Sequence, residues 1–192
     1  MSGREKILAA VKKNQPSMVE LPGLSFAGNG SIDLKAQFIK TLTGIGGSVI
    51  EVNDLKEVSD HIKSTFPESG RFINRVADLD FEISSLKSDP HDFSNVTVAI
   101  MQGEFGVAEN GAIWLTDANM GDHALPYICE QLVLIINKKS IVPTLHEAYD
   151  KIDSSTYKLG TFLAGPSKTA DIEQSLVLGA HGSKSLIVFL IP

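Results

Sequence analysis

Apolar and polar positions recur along this chain at two periods, one helical and one alternating. Leu34, Phe38, Ile39 and Leu42 fall on one helical face, with Ser31 or Asp33 available as cap and Gly44 and Gly46-Gly47 as the stop. "SVIEV" then reads as a strand. Asp54 opens a second helix through Leu55, Val58, Ile62 and Phe66, and Pro67 ends it. "RFINRV", "NVTVAIMQG", "AIWLTD", "EQLVLIINK", "YKLGTFLAG" and "SLIVFLIP" read as further strands. Leu145, Ala148 and Ile152 give a helix in "TLHEAYDKI", and residues 167–179 read as another. Several strands are apolar at successive positions, so neither of their faces meets water. Strands of that kind alternating with helices predict an α/β fold, a mainly parallel sheet flanked by helices.

The start of the chain has a different pattern. Ile7, Leu8 and Val11 mark a short amphipathic helix in "REKILAAV", and residues 14–31, rich in Pro and Gly, read as an extended arm. The chain therefore divides into an N-terminal helix and arm, residues 1–32, and a single α/β domain, residues 33–192. A lone short helix is marginal in water. Either the arm docks on a neighbouring copy, giving a homo-oligomer, or it packs on its own domain.

Composition narrows the function classes. A hydrophobic fraction of 43% with 21% charged residues is ordinary for a globular protein, and the formal net charge of −6 argues against nucleic acid or an anionic membrane as partner. No apolar run reaches the ~18 residues of a membrane span, and the first residues lack the pattern of a secretory leader. One cysteine, Cys129, forms no internal disulfide and cannot by itself hold an iron–sulfur cluster. These features point to a reducing compartment, the cytoplasm.

Candidate chemistry concentrates in "LAGPSKTADIEQSLVLGAHG", residues 163–182. Ser167 and Thr169 suit a helix cap, and Asp171 and Glu173 suit the first turn, where a carboxylate gains roughly 0.3–1 kcal/mol from the helix dipole. Gly179 would then end the helix and His181 follow it. Connectivity alone explains much of this. Yet a helix start after a parallel strand lies at the carboxyl edge of the sheet, where ligands bind, and Ser167, Lys168 and Thr169 offer hydroxyls and a cation. The two acids oppose a phosphate and no Walker loop is present, so a mixed polar site is the better reading. A three-turn helix would place His181 far from Thr169. In "AENGAIWL", Asn110-Gly111 predicts a type I′ hairpin turn, with Glu109 on a tight turn facing a pocket as the functional reading. His61, His91 and His146 lack metal-ligand spacing, so no metal site is expected. Asp122-His123 reads as loop polarity, Cys129 as a buried inert thiol, and Trp114 as core.

The run "GPSKTADIEQSLVLGAHGSKSLIVFLI" closely resembles the C-terminal signature of the LUD-domain family, lactate-utilisation protein C-like. "FGVAENGAIWL" and the "REKILAAV" helix resemble further segments of it. The resemblance implies a fold like that of the glucosamine-phosphate deaminase, ribose-phosphate isomerase and CoA-transferase superfamily. It also implies an accessory role beside iron–sulfur partner proteins in oxidising lactate to pyruvate, the clusters residing in the partners and no cofactor in this chain. A small anionic metabolite would bind through Ser167, Lys168, Thr169, Asp171, Glu173, Asn110 and His181. The Glu-Asn-Gly turn also resembles the segment bearing the nucleophilic glutamate of some CoA-transferases, which would make Glu109 catalytic. The chain departs from the family in having Asn110 where Thr is common, and His123 in "GDHALP" near the place of an arginine. An acyl-CoA or sugar-phosphate enzyme using Glu109, and an interaction module with a vestigial site, are the alternatives.

Overall fold

The computed structural model describes residues 2–20, 33–66, 69–82, 90–153, 155–170, 176–179 and 181–192. The chain forms two compact units, Met1–Ser31 and Ile32–Pro192. In the first, helix α1 (Gly3–Lys13) starts at a capping box: Ser2 Oγ accepts from the Glu5 amide, and the Glu5 carboxylate accepts from the Ser2 amide. Its Ile7, Leu8 and Val11 are exposed.

The second unit opens with α2 (Leu34–Gly44), β1 (Ser48–Glu51), α3 (Leu55–Thr65), β2 (Phe72–Asn74) and β3 (Val98–Gln102). Next come β4 (Phe105–Gly106), β5 (Ile113–Thr116), the one-turn helices α4 (Asp117–Met120) and α5 (Leu125–Ile128), and β6 (Gln131–Asn137). Helix α6 (Leu145–Lys151) and strands β7 (Gly160–Leu163), β8 (Lys168–Ala170), β9 (Leu176–Leu178) and β10 (Ser185–Ile191) complete it. The expected caps hold: Asp33 accepts from the Ala36 amide and Asp54 from the Glu57 amide. Phe66 is extended at the end of α3, as the residue before Pro67 must be. Among the described residues, no helix is long and apolar enough to cross a membrane.

The main sheet is parallel throughout, in the order β1-β10-β6-β3-β2. Its central strands are buried on both faces, which is why their sequences show no polar alternation. Ala99, Met101, Leu132, Leu134, Ile136, Leu186, Val188 and Leu190 point into one core with Phe38 and Leu42 of α2. The alternate residues Val98, Ile100, Val133, Ile135 and Phe189 pack with Val58 and Ile62 of α3 on the other face. The mainly parallel α/β expectation is met.

Two local expectations are overturned. "YKLGTFLAG" does form a strand, β7, but in a second, antiparallel sheet, β4-β5-β7, rather than in the parallel one. That removes the reason for a helix over 167–179, because a crossover helix is needed only between parallel strands of one sheet. Lys168–Ala170 and Leu176–Leu178 instead pair as an antiparallel hairpin, Lys168 opposite Leu178 and Thr169 opposite Val177. Gly179 (φ +77°) ends no helix; its amide donates to the Ser167 carbonyl. Residues 171–175, with Asp171 and Glu173, lie outside the described residues.

Asn110-Gly111 also departs from expectation. The segment does join antiparallel strands, but it is no type I′ turn, which needs positive φ at both residues; only Gly111 has it, at +70°. The loop is wider because its backbone is engaged elsewhere: the Ala108 and Glu109 amides donate to the Val142 and Pro143 carbonyls. Asn110 Oδ1 closes the turn by accepting from the Ala112 amide at 3.0 Å. A Cβ on Gly111 would lie 2.9 Å from the backbone Cα of Leu42. Gly111→Ala is therefore expected to cost about 1–3 kcal/mol through φ strain and overpacking, read as a lowered midpoint in urea unfolding at unchanged m-value.

Candidate functional site

The β8–β9 hairpin brings together residues that a helix would have separated. The Ser167 amide donates to the Ser183 carbonyl at 2.9 Å, so the chain returns after β9 to the point where it left. At that return Gly182 lies against Ser167, and a Cβ there would stand 3.0 Å from the Ser167 Cβ. His181 and Lys168 consequently line one cavity of about 300 Å3 with Ser167 and Tyr127. Leu132, Phe162 and Leu163 supply apolar wall.

The cavity is not at the carboxyl edge of the sheet. The segments lining it lead into strands: Pro126 and Tyr127 precede β6, and Gly182 and Ser183 precede β10. It sits at the amino-terminal ends of those strands, with Pro126 and Tyr127 reaching it from the one-turn helix α5.

Lys168 is exposed, and its stem and ammonium lie over the turn at Gly46, about 3.6 Å from where a Cβ would stand. Neither the Lys168 ammonium nor the His181 ring makes a hydrogen bond or ion pair among the described residues. Tyr127 is anchored by donating its hydroxyl to Thr161 Oγ1 at 2.9 Å. The described lining includes a lysine and a histidine and no carboxylate, which makes the cavity electropositive over a small apolar floor.

The remaining candidates lie elsewhere. Thr169 is in β8, opposite Val177, and is not among the residues lining the cavity. Glu109 and Asn110 are not among them either. The Glu109 carboxylate accepts from the Leu145 amide at 2.8 Å, satisfying an orphan donor in the first turn of α6. Its local role is thus to tie the β4–β5 loop to that helix. Tyr127 and the two residues after His181 are site members that the sequence reading did not single out; the tyrosine before "CEQLVLIIN" was legible only as the end of a loop.

Among the described residues no cluster of three or more His, Cys, Asp or Glu side chains could hold a metal ion. Asp122 caps its own loop by accepting from the Ala124 amide. Cys129 is buried, and desolvation pushes its thiol up to about 12. A single inaccessible thiol does not fit the ligand set of an iron–sulfur cluster.

A family model described as the LUD domain matches residues 74–191, most of the β-rich part of the chain. The chain belongs to the LUD domain family. Within curated proteins, Lactate utilization protein C of Geobacillus kaustophilus is 31% identical over 100 residues, 49% of this chain and 41% of that protein. Lactate utilization protein C 1 of Bacillus mycoides is 28% identical over 160 residues, 77% of this chain and 66% of that one. This LUD chain thus spans less than half the length of the Geobacillus relative it matches. The crystal structure of a DUF162 family protein from Deinococcus radiodurans superposes with a TM-score of 0.65 at 19% identity, covering 88% of this chain and all of that one. That likeness supports the fold.

The buried thiol gives a measurable consequence. Its raised value leaves stability unaffected below the ordinary thiol value of 9.0 and erodes it as pH climbs towards about 12, because there only the unfolded chain ionises. A thiol reagent at pH 8 should leave the native protein unlabelled and label it fully in denaturant; rapid native labelling would contradict the burial of Cys129.

Proposed function

We propose that this chain is the non-redox accessory component of a lactate-oxidising system, holding a small carboxylate in the Lys168–His181 cavity. The observation that carries the reading is the cavity's chemistry. A cation and an imidazole stand over an apolar floor, with no described carboxylate to oppose an anion. Lactate and pyruvate are anions with a methyl group, and a cavity of about 300 Å3 holds either with room to spare. In this reading the Lys168 ammonium pairs with the carboxylate. Ser167 and His181 bind the oxygen on the neighbouring carbon.

The named lactate-utilisation relatives support placing that ligand in lactate oxidation. Electrons then leave through iron–sulfur partner proteins, since this chain brings one buried cysteine and no cluster ligand set of its own. The exposed Ile7, Leu8 and Val11 face of α1 serves docking to a neighbouring copy. The setting is the cytoplasm.

Calorimetric titration of the full chain with lactate and with pyruvate tests the small-molecule part. Binding should weaken about tenfold in Lys168→Ala, the loss of one charge-assisted contact. Silence with both acids would sink the carboxylate site. Co-purification from lactate-grown cells tests the partners, and a deletion strain that grows normally on lactate would remove the reading altogether. Glu109→Gln keeps an acceptor for the Leu145 amide and is expected to bind lactate as the parent does. A lost activity in that variant would instead favour an acyl-transfer role for Glu109.

A further inference from the structure

A second cavity, of about 380 Å3, opens beside the outer face of the β4–β5–β7 sheet. Glu104 enters it just past the end of β3, Phe105 and Trp114 come from paired positions of β4 and β5, and Lys151 and Asp153 from the end of α6. Tyr157 closes the ring wall, edge-on to Trp114 at 5.5 Å. The chemistry is the reverse of the first cavity: two carboxylates stand against one ammonium, so the described lining carries net negative charge.

Two observations say what such a wall accepts. The molecule already places a cation on it, since the Lys151 ammonium sits 5.1 Å from the centroid of the Phe105 ring. And each carboxylate is aimed through one oxygen while keeping the other open. Glu104 Oε1 accepts from Asn119 Nδ2 at 2.9 Å, and the Asn119 carbonyl is itself fixed by the Thr116 amide and hydroxyl. Asp153 Oδ1 accepts from the Ser155 amide and hydroxyl at 2.9 and 2.7 Å, donors that hold this carboxyl below its usual range and hence ionised at neutral pH. Glu104 Oε2 and Asp153 Oδ2 make no hydrogen bond among the described residues.

We propose that this cavity binds a small organic ammonium ion, its charged head at Glu104 and Asp153 and its apolar body against Tyr157 and Trp114. An anion would meet both carboxylates. A bare metal ion would leave the aromatic wall unused and finds no three-ligand cluster among the described residues. An ammonium carried on carbon uses both halves of the lining. The proposal is independent of the carboxylate reading.

Trp114 is the only tryptophan in the sequence, so its emission reports on this cavity directly. It also packs on Phe162, which lines the first cavity, with ring centroids 4.6 Å apart. Variants therefore have to sort the two sites. The full chain is titrated with choline and, separately, putrescine, against sodium chloride at matched ionic strength. A saturable change beyond the salt control is expected with at least one of them. Its apparent Kd should weaken about tenfold in Glu104→Gln and in Asp153→Asn and hold in Lys168→Ala. A response no larger than that of salt for both cations overturns the proposal, as does unchanged affinity in both carboxylate variants. Failure of the carboxylate reading registers separately, as the absence of any lactate binding that Lys168→Ala weakens.

Discussion

The packing of Ile113 and Leu115 into the core shared with Leu134, Ile136 and Met101 is the contact on which the rest of the molecule depends. It seats the antiparallel β4–β5–β7 sheet against one face of the parallel sheet, while α3 covers the other face through Val58 and Ile62. With both faces of the parallel sheet closed, open space remains at the strand ends and on the outer side of the second sheet. The two cavities occupy those places. One stands where the chain enters β6 and β10; the other stands where the second sheet turns Phe105 and Trp114 away from the core.

The alternation of β5 is what separates two environments on one strand. Ile113 and Leu115 go inward, and Trp114 goes outward into a cluster with Phe105, Ala112 and Ala148. Outward, however, is not exposed: Trp114 is only 7% accessible, because Tyr157 and Phe162 lie on it. The aromatic layer is thus a partition between an electropositive and an electronegative cavity. A side chain moved on one side has a packed path to the other through Trp114 and Phe162. The two cavities share this wall but no lining residue.

Legibility in the sequence followed burial. The caps Asp33 and Asp54, the strands of the parallel sheet and the helices α2, α3 and α6 were readable because local hydrogen bonding and apolar periodicity agree there. Residues 167–179 read as a helix because Ser167, Thr169, Asp171, Glu173 and Gly179 satisfy the local rules for one. What decides against it is non-local: β7 pairs with β5, so no crossover is required, and the Ser167 amide finds Ser183 instead of a helical partner. Ser167, Lys168 and His181 do line one cavity, brought there by the return of the hairpin and not by a helix start. The second cavity was illegible because Glu104, Trp114 and Asp153 come from three elements, and no sequence spacing links them.

Glu109 shows how a motif and a position can part company. Its carboxylate sits in a turn that resembles a catalytic one, yet the Leu145 amide it accepts is the first backbone donor of a seven-residue helix. So short a helix has little cooperativity of its own and relies on its ends being satisfied. Thr144 caps from within by accepting from the Glu147 amide, and Glu109 caps from across the fold. The far end of that helix delivers Lys151 and, just beyond, Asp153 to the acidic cavity. The carboxylate of the Glu-Asn-Gly turn therefore ties the β4–β5 loop to the start of the helix whose far end carries Lys151 and Asp153.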